Sequence, residues 1–210
     1  MKHKVFISYH HVNDQYYKEE LLRLNEEYGI FIDMSVDTGD ISDNLPDESI
    51  RTKIRDEYLK NSSVTILLVG TQTKYRKHVD WEIYSSMYNG KVNKKSGILV
   101  IQLPTIHPKY VTAPFEEEKT NIYNYITSWT FINNRKEYER RYPCLPERII
   151  DNLIKSDVKI SVTKWEDIIN NPDNFKLLID LAHKARETNN YDLSRPMKRK
   201  NINDKKCRND

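Results

Sequence analysis

The run Val64-Thr65-Ile66-Leu67-Leu68-Val69 is apolar on successive rather than alternate residues, the pattern of a strand covered on both faces. A second such run, Ile98-Leu99-Val100-Ile101-Gln102-Leu103, is stopped by Pro104, and a shorter one, Val5-Phe6-Ile7, lies near the start. Between them fall helical patterns. Tyr17, Leu21, Leu24 and Tyr28 share one face before Gly29; Ile50, Ile54 and Tyr58 follow Pro46; residues 76–89 form a third. Ile30-Phe31-Ile32 reads as a further strand. Strand–helix alternation of this kind predicts an α/β fold, a central parallel sheet with helices on both faces.

The rest of the chain breaks and then resumes this rhythm. Residues 106–143 hold Pro108, Pro114, the acidic run Glu116-Glu117-Glu118 and eight aromatics, which predicts an inserted lid or subdomain rather than another strand–helix unit. Val158-Lys159-Ile160-Ser161-Val162 alternates as an edge strand does, and a last helix starts near Pro172. A length of 210 residues suits one domain, expected over 1–190. From Tyr191 onward seven basic residues stand against three acidic ones, so of the net charge of +3 the tail carries +4 and the body −1. That body is a poor nucleic-acid surface, and residues 191–210 are expected to be a solvated, disordered tail.

Several function classes drop out. No apolar run is long enough to span a bilayer, and Met1-Lys2-His3-Lys4 leads straight into a strand with no signal-peptide core, so no membrane partner is expected. Cys144 and Cys207 stand far apart, which argues against a disulfide framework or a paired-cysteine metal site and for a reducing cytoplasm. His10, His11 and His78 lack metal-ligand spacing, and the loop carrying Asp37, Gly39, Asp40 and Asp43 does not fit a calcium loop, so no metal is expected. No nucleophile elbow of the GxSxG type occurs. Ligands of open parallel sheets bind where strands end, here at Ser8-Tyr9-His10-His11, at the acidic loop and at Gly70-Thr71. On spacing alone, His78, Glu82, Ser86 and Asn89 form a stripe in which Glu82 pairs with His78 or with solvent.

Lys4-Val5-Phe6-Ile7-Ser8-Tyr9 resembles the opening strand of TIR domains. The stretches 35–41, 54–59, 62–70 and Arg76-Lys77-His78-Val79-Asp80-Trp81-Glu82-Ile83 resemble, in the same order, the TIR-like ThsB family of the bacterial Thoeris antiphage system. Pro146-Glu147-Arg148-Ile149-Ile150-Asp151-Asn152 is similar to a segment of that family too. The resemblance covers roughly 3–105 and 146–187, and 106–143 departs from it. It implies a flavodoxin-like TIR fold and an enzyme that takes NAD⁺ as substrate, with no resident cofactor. It further implies cleavage between nicotinamide and ribose, and cyclisation of the ADP-ribosyl unit into a cyclic ADP-ribose isomer. That signal would activate a ThsA-type effector after a phage-derived trigger, with homo-oligomerisation a further expectation.

Residue by residue, the resemblance implies that Glu82 is catalytic and Phe6 lies against the substrate. Ser8 and Tyr9 would open the first pocket loop, and Asn152 would contact the nucleotide. His10 and His11 read equally as pocket wall or as surface, and Asp37 with Asp40 would order the loop after the second strand. Trp81 reads as helix packing, and Trp165-Glu166 as structural. Two readings compete with the enzyme: a non-enzymatic TIR scaffold that senses a phage component and oligomerises, and a nucleotide-binding module without turnover.

Overall fold

A computed structural model describes residues 1–35, 45–90, 93–203 and 205–207. Its five strands are β1 (Lys4–Ser8), β2 (Ile32–Asp33), β3 (Val64–Val69), β4 (Gly97–Gln102) and β5 (Ser161–Lys164). They form one sheet in the order β2-β1-β3-β4-β5, every pairing parallel. This is the doubly wound, flavodoxin-like order, with its switch point between β1 and β3. Among the described residues eight helices surround it: α1 (His11–Tyr28), α2 (Asp47–Lys53), α3 (Lys77–Met87), α4 (Glu116–Asn121), α5 (Arg135–Arg141), α6 (Glu147–Leu153), α7 (Glu166–Ile169) and α8 (Pro172–Thr188). α2 runs on into a π-helical turn over Ile54–Tyr58.

Two-faced burial explains the apolar strands. Val5, Ile7, Ile66 and Leu68 pack in one core cluster with Leu21 of α1 and Phe175 of α8. Leu67, Val69 and Val100 point the other way, onto Val79 and Ile83 of α3 and Ile149 of α6. Phe6 joins Ile50, Ile54, Leu59 and Trp81 on that second side. Gly29 closes α1 at φ 59°, a left-handed conformation that costs glycine nothing, and its N–H bonds Asn25 O at 2.7 Å.

Two strands differ in extent from the sequence expectation. Ile30 and Phe31 are buried against the core, and pairing begins only at Ile32, so most of the apolar run packs rather than pairs. β5 starts at Ser161 because its register opens opposite Leu99; Val158 and Ile160 reach the core before the ladder begins. The 106–143 insertion lies along β5, the sheet edge. Thr112 bridges Val162 antiparallel, Tyr123 Oη and Thr163 Oγ1 are 2.7 Å apart, and Gln102 donates to Tyr110 O. It thereby covers hydrogen-bonding groups that an open edge would expose.

The expected disordered tail is instead a strap across α3 and α6. Lys198 N donates to Asp80 Oδ2 at 2.8 Å, Ile202 N to Tyr75 O at 3.2 Å, and Cys207 N to Thr71 O at 2.7 Å. Met197, 4% exposed, is its apolar anchor, in the cluster with Phe6 and Trp81. The two cysteines are joined in a disulfide, Cα atoms 5.4 Å apart across 63 residues, which corrects the expectation of two unpaired thiols. Long sequence separation hid that pairing; the strap's path brings the two together. Among the described residues no helix is long and apolar enough to cross a membrane, and no cluster of metal-ligating side chains occurs.

Candidate functional site

The side chain of Glu82 leaves α3 towards the sheet, not towards His78 or solvent. Ser8, the last residue of β1, donates its hydroxyl to Glu82 Oε2 at 2.7 Å. Ser86, one turn on, shares a hydrogen bond of 2.7 Å with Thr65 of β3. The polar stripe of α3 is therefore its sheet-facing side, and Glu82 is 3% exposed. Burial drives its carboxyl up to about 8, against the pull of the Ser8 hydrogen bond, which favours the anion. In the site as it stands, a near-neutral solution holds Glu82 protonated.

Phe6 lies two residues before Ser8, so strand alternation places both on the α3 side of β1. Phe6 packs with Trp81 and Met197 beside the Ser8–Glu82 pair. Trp81 is buried, and its indole N–H donates to Lys198 O of the strap at 2.7 Å. Tyr9 faces the opposite core: it packs with Val5 and Ile7, its hydroxyl donates to Gln15 at 2.6 Å, and its ring stacks on His11. β1 thus brings together Phe6, Ser8 and Glu82 and leaves Tyr9 on the other side. His10 caps α1 with its carbonyl, which accepts from Asn13 and Asp14. Its Nδ1 is buried without a hydrogen-bond partner, and its pKa falls to about 4 through burial, then Arg76, then His11. Asp37 lies outside the described residues.

Asn152 is wholly buried on α6 and holds the strap. Its Nδ2 donates to Arg148 O at 2.9 Å and Asp192 O at 3.1 Å, and its Oδ1 accepts from Asp192 N at 2.8 Å. Next to it, Arg148 forms a buried fork on Asp80 at 2.9 and 3.1 Å and donates to the carbonyls of Arg195 and Pro196. Strap and site flank share one polar framework. The sequence showed the segment 146–152 but not its target.

Two buried carboxyls escaped sequence reasoning. Asp14 of α1 receives the Thr73 hydroxyl at 3.2 Å below the end of β3, and burial lifts it to about 6. Its closeness explains Gly70, where a Cβ would stand 2.4 Å from Asp14 Oδ1. Glu118 of α4 receives the Ser161 hydroxyl and is lifted to about 8, chiefly by burial. The only available signal for Glu118 was its place within an acidic run beside aromatics. Trp165 serves packing, edge-on to Tyr17 at 5.0 Å.

A five-stranded parallel sheet in this order, with a buried glutamate on α3 held against the end of β1, defines a TIR-like α/β protein. The family model described as "Thoeris protein ThsB, TIR-like domain" matches residues 6–107, from Phe6 in β1 past the end of β4. Residues 6–107 therefore form a TIR-like domain of the ThsB family. No curated protein matches it.

Proposed function

We propose that the chain binds NAD⁺ at the end of β1 and cleaves its nicotinamide–ribose bond at Glu82. The observation that carries this reading is the buried Ser8–Glu82 hydrogen bond, which points one carboxyl at the place where doubly wound sheets take ligands. A nicotinamide cation entering beside Glu82 draws the carboxyl back to its anionic form, as an adjacent opposite charge does. The C–N bond then breaks with its electron pair leaving on nicotinamide, and Glu82 stabilises the oxocarbenium-like ribose in a site shielded from water. Attack on that carbon by a hydroxyl of the second ribose closes a cyclic ADP-ribose isomer. The hydroxyl proton passes to Glu82 and then to solvent.

Phe6 supplies the apolar wall in this scheme. Met197 and Lys198 of the strap occupy its neighbourhood, so the nucleotide enters once the strap withdraws. Asn152 is held by the same strap and is freed in the same movement, ready for the nucleotide contact that the resemblance implies. The cyclic product serves as the signal for a ThsA-type effector, and the infection-borne trigger acts on the closed state. Cytoplasmic residence follows from that role.

The enclosure of Glu82 favours one second reading, a TIR scaffold that senses and assembles without chemistry. Mass spectrometry of small molecules from phage-infected cells separates the two. Wild type yields a cyclic ADP-ribose isomer, and Glu82→Gln lowers it by at least about a hundredfold. Absence of product from both, with protection intact in both, overturns the enzyme and leaves the scaffold.

A further inference from the structure

The insertion does more than cover a sheet edge. By bridging Thr112 to Val162 it lays 109–114 beside 158–164 and encloses a cavity of about 680 Å³ on the β5 side of the molecule. None of Phe6, Ser8 and Glu82 lines it. Six cations do: Lys109, Lys119, Arg141, Lys155, Lys159 and Lys164; no carboxylate stands in the wall. Glu116, Glu137 and Asp157 pair with three of these cations from outside that wall, at 3.0, 2.7 and 3.4 Å. The wall therefore keeps a positive excess, carried by Lys159 and Lys164, in a concave, partly desolvated space, where charge acts more strongly than on an open surface.

Aromatic faces complete the lining. Tyr110, Tyr125 and Trp129 border the cavity, and Tyr125 is largely exposed. Arg141 lies over Tyr110 at 5.3 Å and Lys119 over Trp129 at 5.8 Å, so two of these three rings stand close to a cation. Cations beside flat apolar faces suit a ligand that is anionic at one end and aromatic at the other. The volume is that of a small-molecule site. We propose that this cavity is a nucleotide site separate from Glu82, in which the lysines and Arg141 hold phosphate and Trp129 stacks the base.

The test is isothermal titration with ADP, and with pyrophosphate as a base-free control, joined to tryptophan fluorescence. ADP should bind more tightly than about 1 mM and quench fluorescence, with pyrophosphate at least about tenfold weaker. The paired variant Lys159→Glu/Lys164→Glu should weaken ADP by at least about tenfold, while Glu82→Gln leaves it unchanged. Trp129→Leu gives a second reading by removing the stacking face alone, and circular dichroism verifies that each variant is folded. Absence of ADP binding overturns the proposal. So does ADP binding lost in Glu82→Gln and kept in the lysine variant, which places the ligand at Glu82. Equal affinity for pyrophosphate overturns the nucleotide class.

Discussion

Replacing Glu82 with glutamine should make the protein more stable, by an amount that depends on pH in one direction only. The folded chain raises this carboxyl from 4.5 to about 8 by burial. Between those values the folded state keeps a proton that the unfolded state has released, so stability falls as pH rises through the window. Each pH unit costs about 1.4 kcal/mol, and the full window sets a ceiling of about 5 kcal/mol. Glutamine carries no such proton, and its carbonyl still accepts from Ser8. Urea unfolding followed by circular dichroism, at about pH 5, 6.5 and 8, measures the difference between variant and wild type. Because Glu118 and Asp14 titrate in both chains, subtraction isolates Glu82. The variant's advantage should grow steadily across the series. Parallel curves would refute the reasoning, because they would mean that Glu82 is as well solvated folded as unfolded.

Two further predictions concern the strap. Arg148→Met leaves Asp80 buried without its cation and releases the carbonyls of Arg195 and Pro196; chemical denaturation should show a loss of about 3–5 kcal/mol, and a loss below about 1 would show the pair to be dispensable. Cutting the Cys144–Cys207 link by reduction or Cys207→Ser frees a 63-residue closure, worth up to about 4 kcal/mol in chain entropy. Trypsin should then cut at Lys198–Lys200 well before the body, whereas unchanged cleavage there would mean that the hydrogen bonds alone secure the strap.

Legibility in the sequence followed the range of the forces involved. β3 was readable residue for residue and β4 to within one residue at each end, because a strand covered on both faces writes its burial into its own composition. Gly29 marked the end of α1 for an equally local reason, its left-handed φ. Glu82 was placed on its helix by periodicity, but its burial depends on Ser8, 74 residues away. The family resemblance singled it out where spacing had favoured His78 or solvent. The strap was missed because almost all its order is non-local. Met197 is its main apolar anchor, and the rest is held by hydrogen bonds to Tyr75, Asp80, Arg148 and Asn152, by ion pairs of Arg195 with Asp151 and Glu147, and by one disulfide. Composition sees only lysine and arginine there. Asn152, which the resemblance implies as a nucleotide contact, holds Asp192 in this structure, a partner that only the path of the strap reveals.

The Cys144–Cys207 bond also has a mechanical meaning. A load applied to the chain beyond Cys207 passes through the sulfur bridge directly into Cys144, at the close of the insertion. The intervening stretch, which includes α6, β5, α8 and the strap, forms a covalent loop outside that line of force. Tension therefore cannot peel the strap from Phe6 and Trp81 while the bond is intact. Once the bond is reduced, the same pull meets the contacts at Thr71 and Tyr75 and then Met197, so the strap is loaded from its end inward.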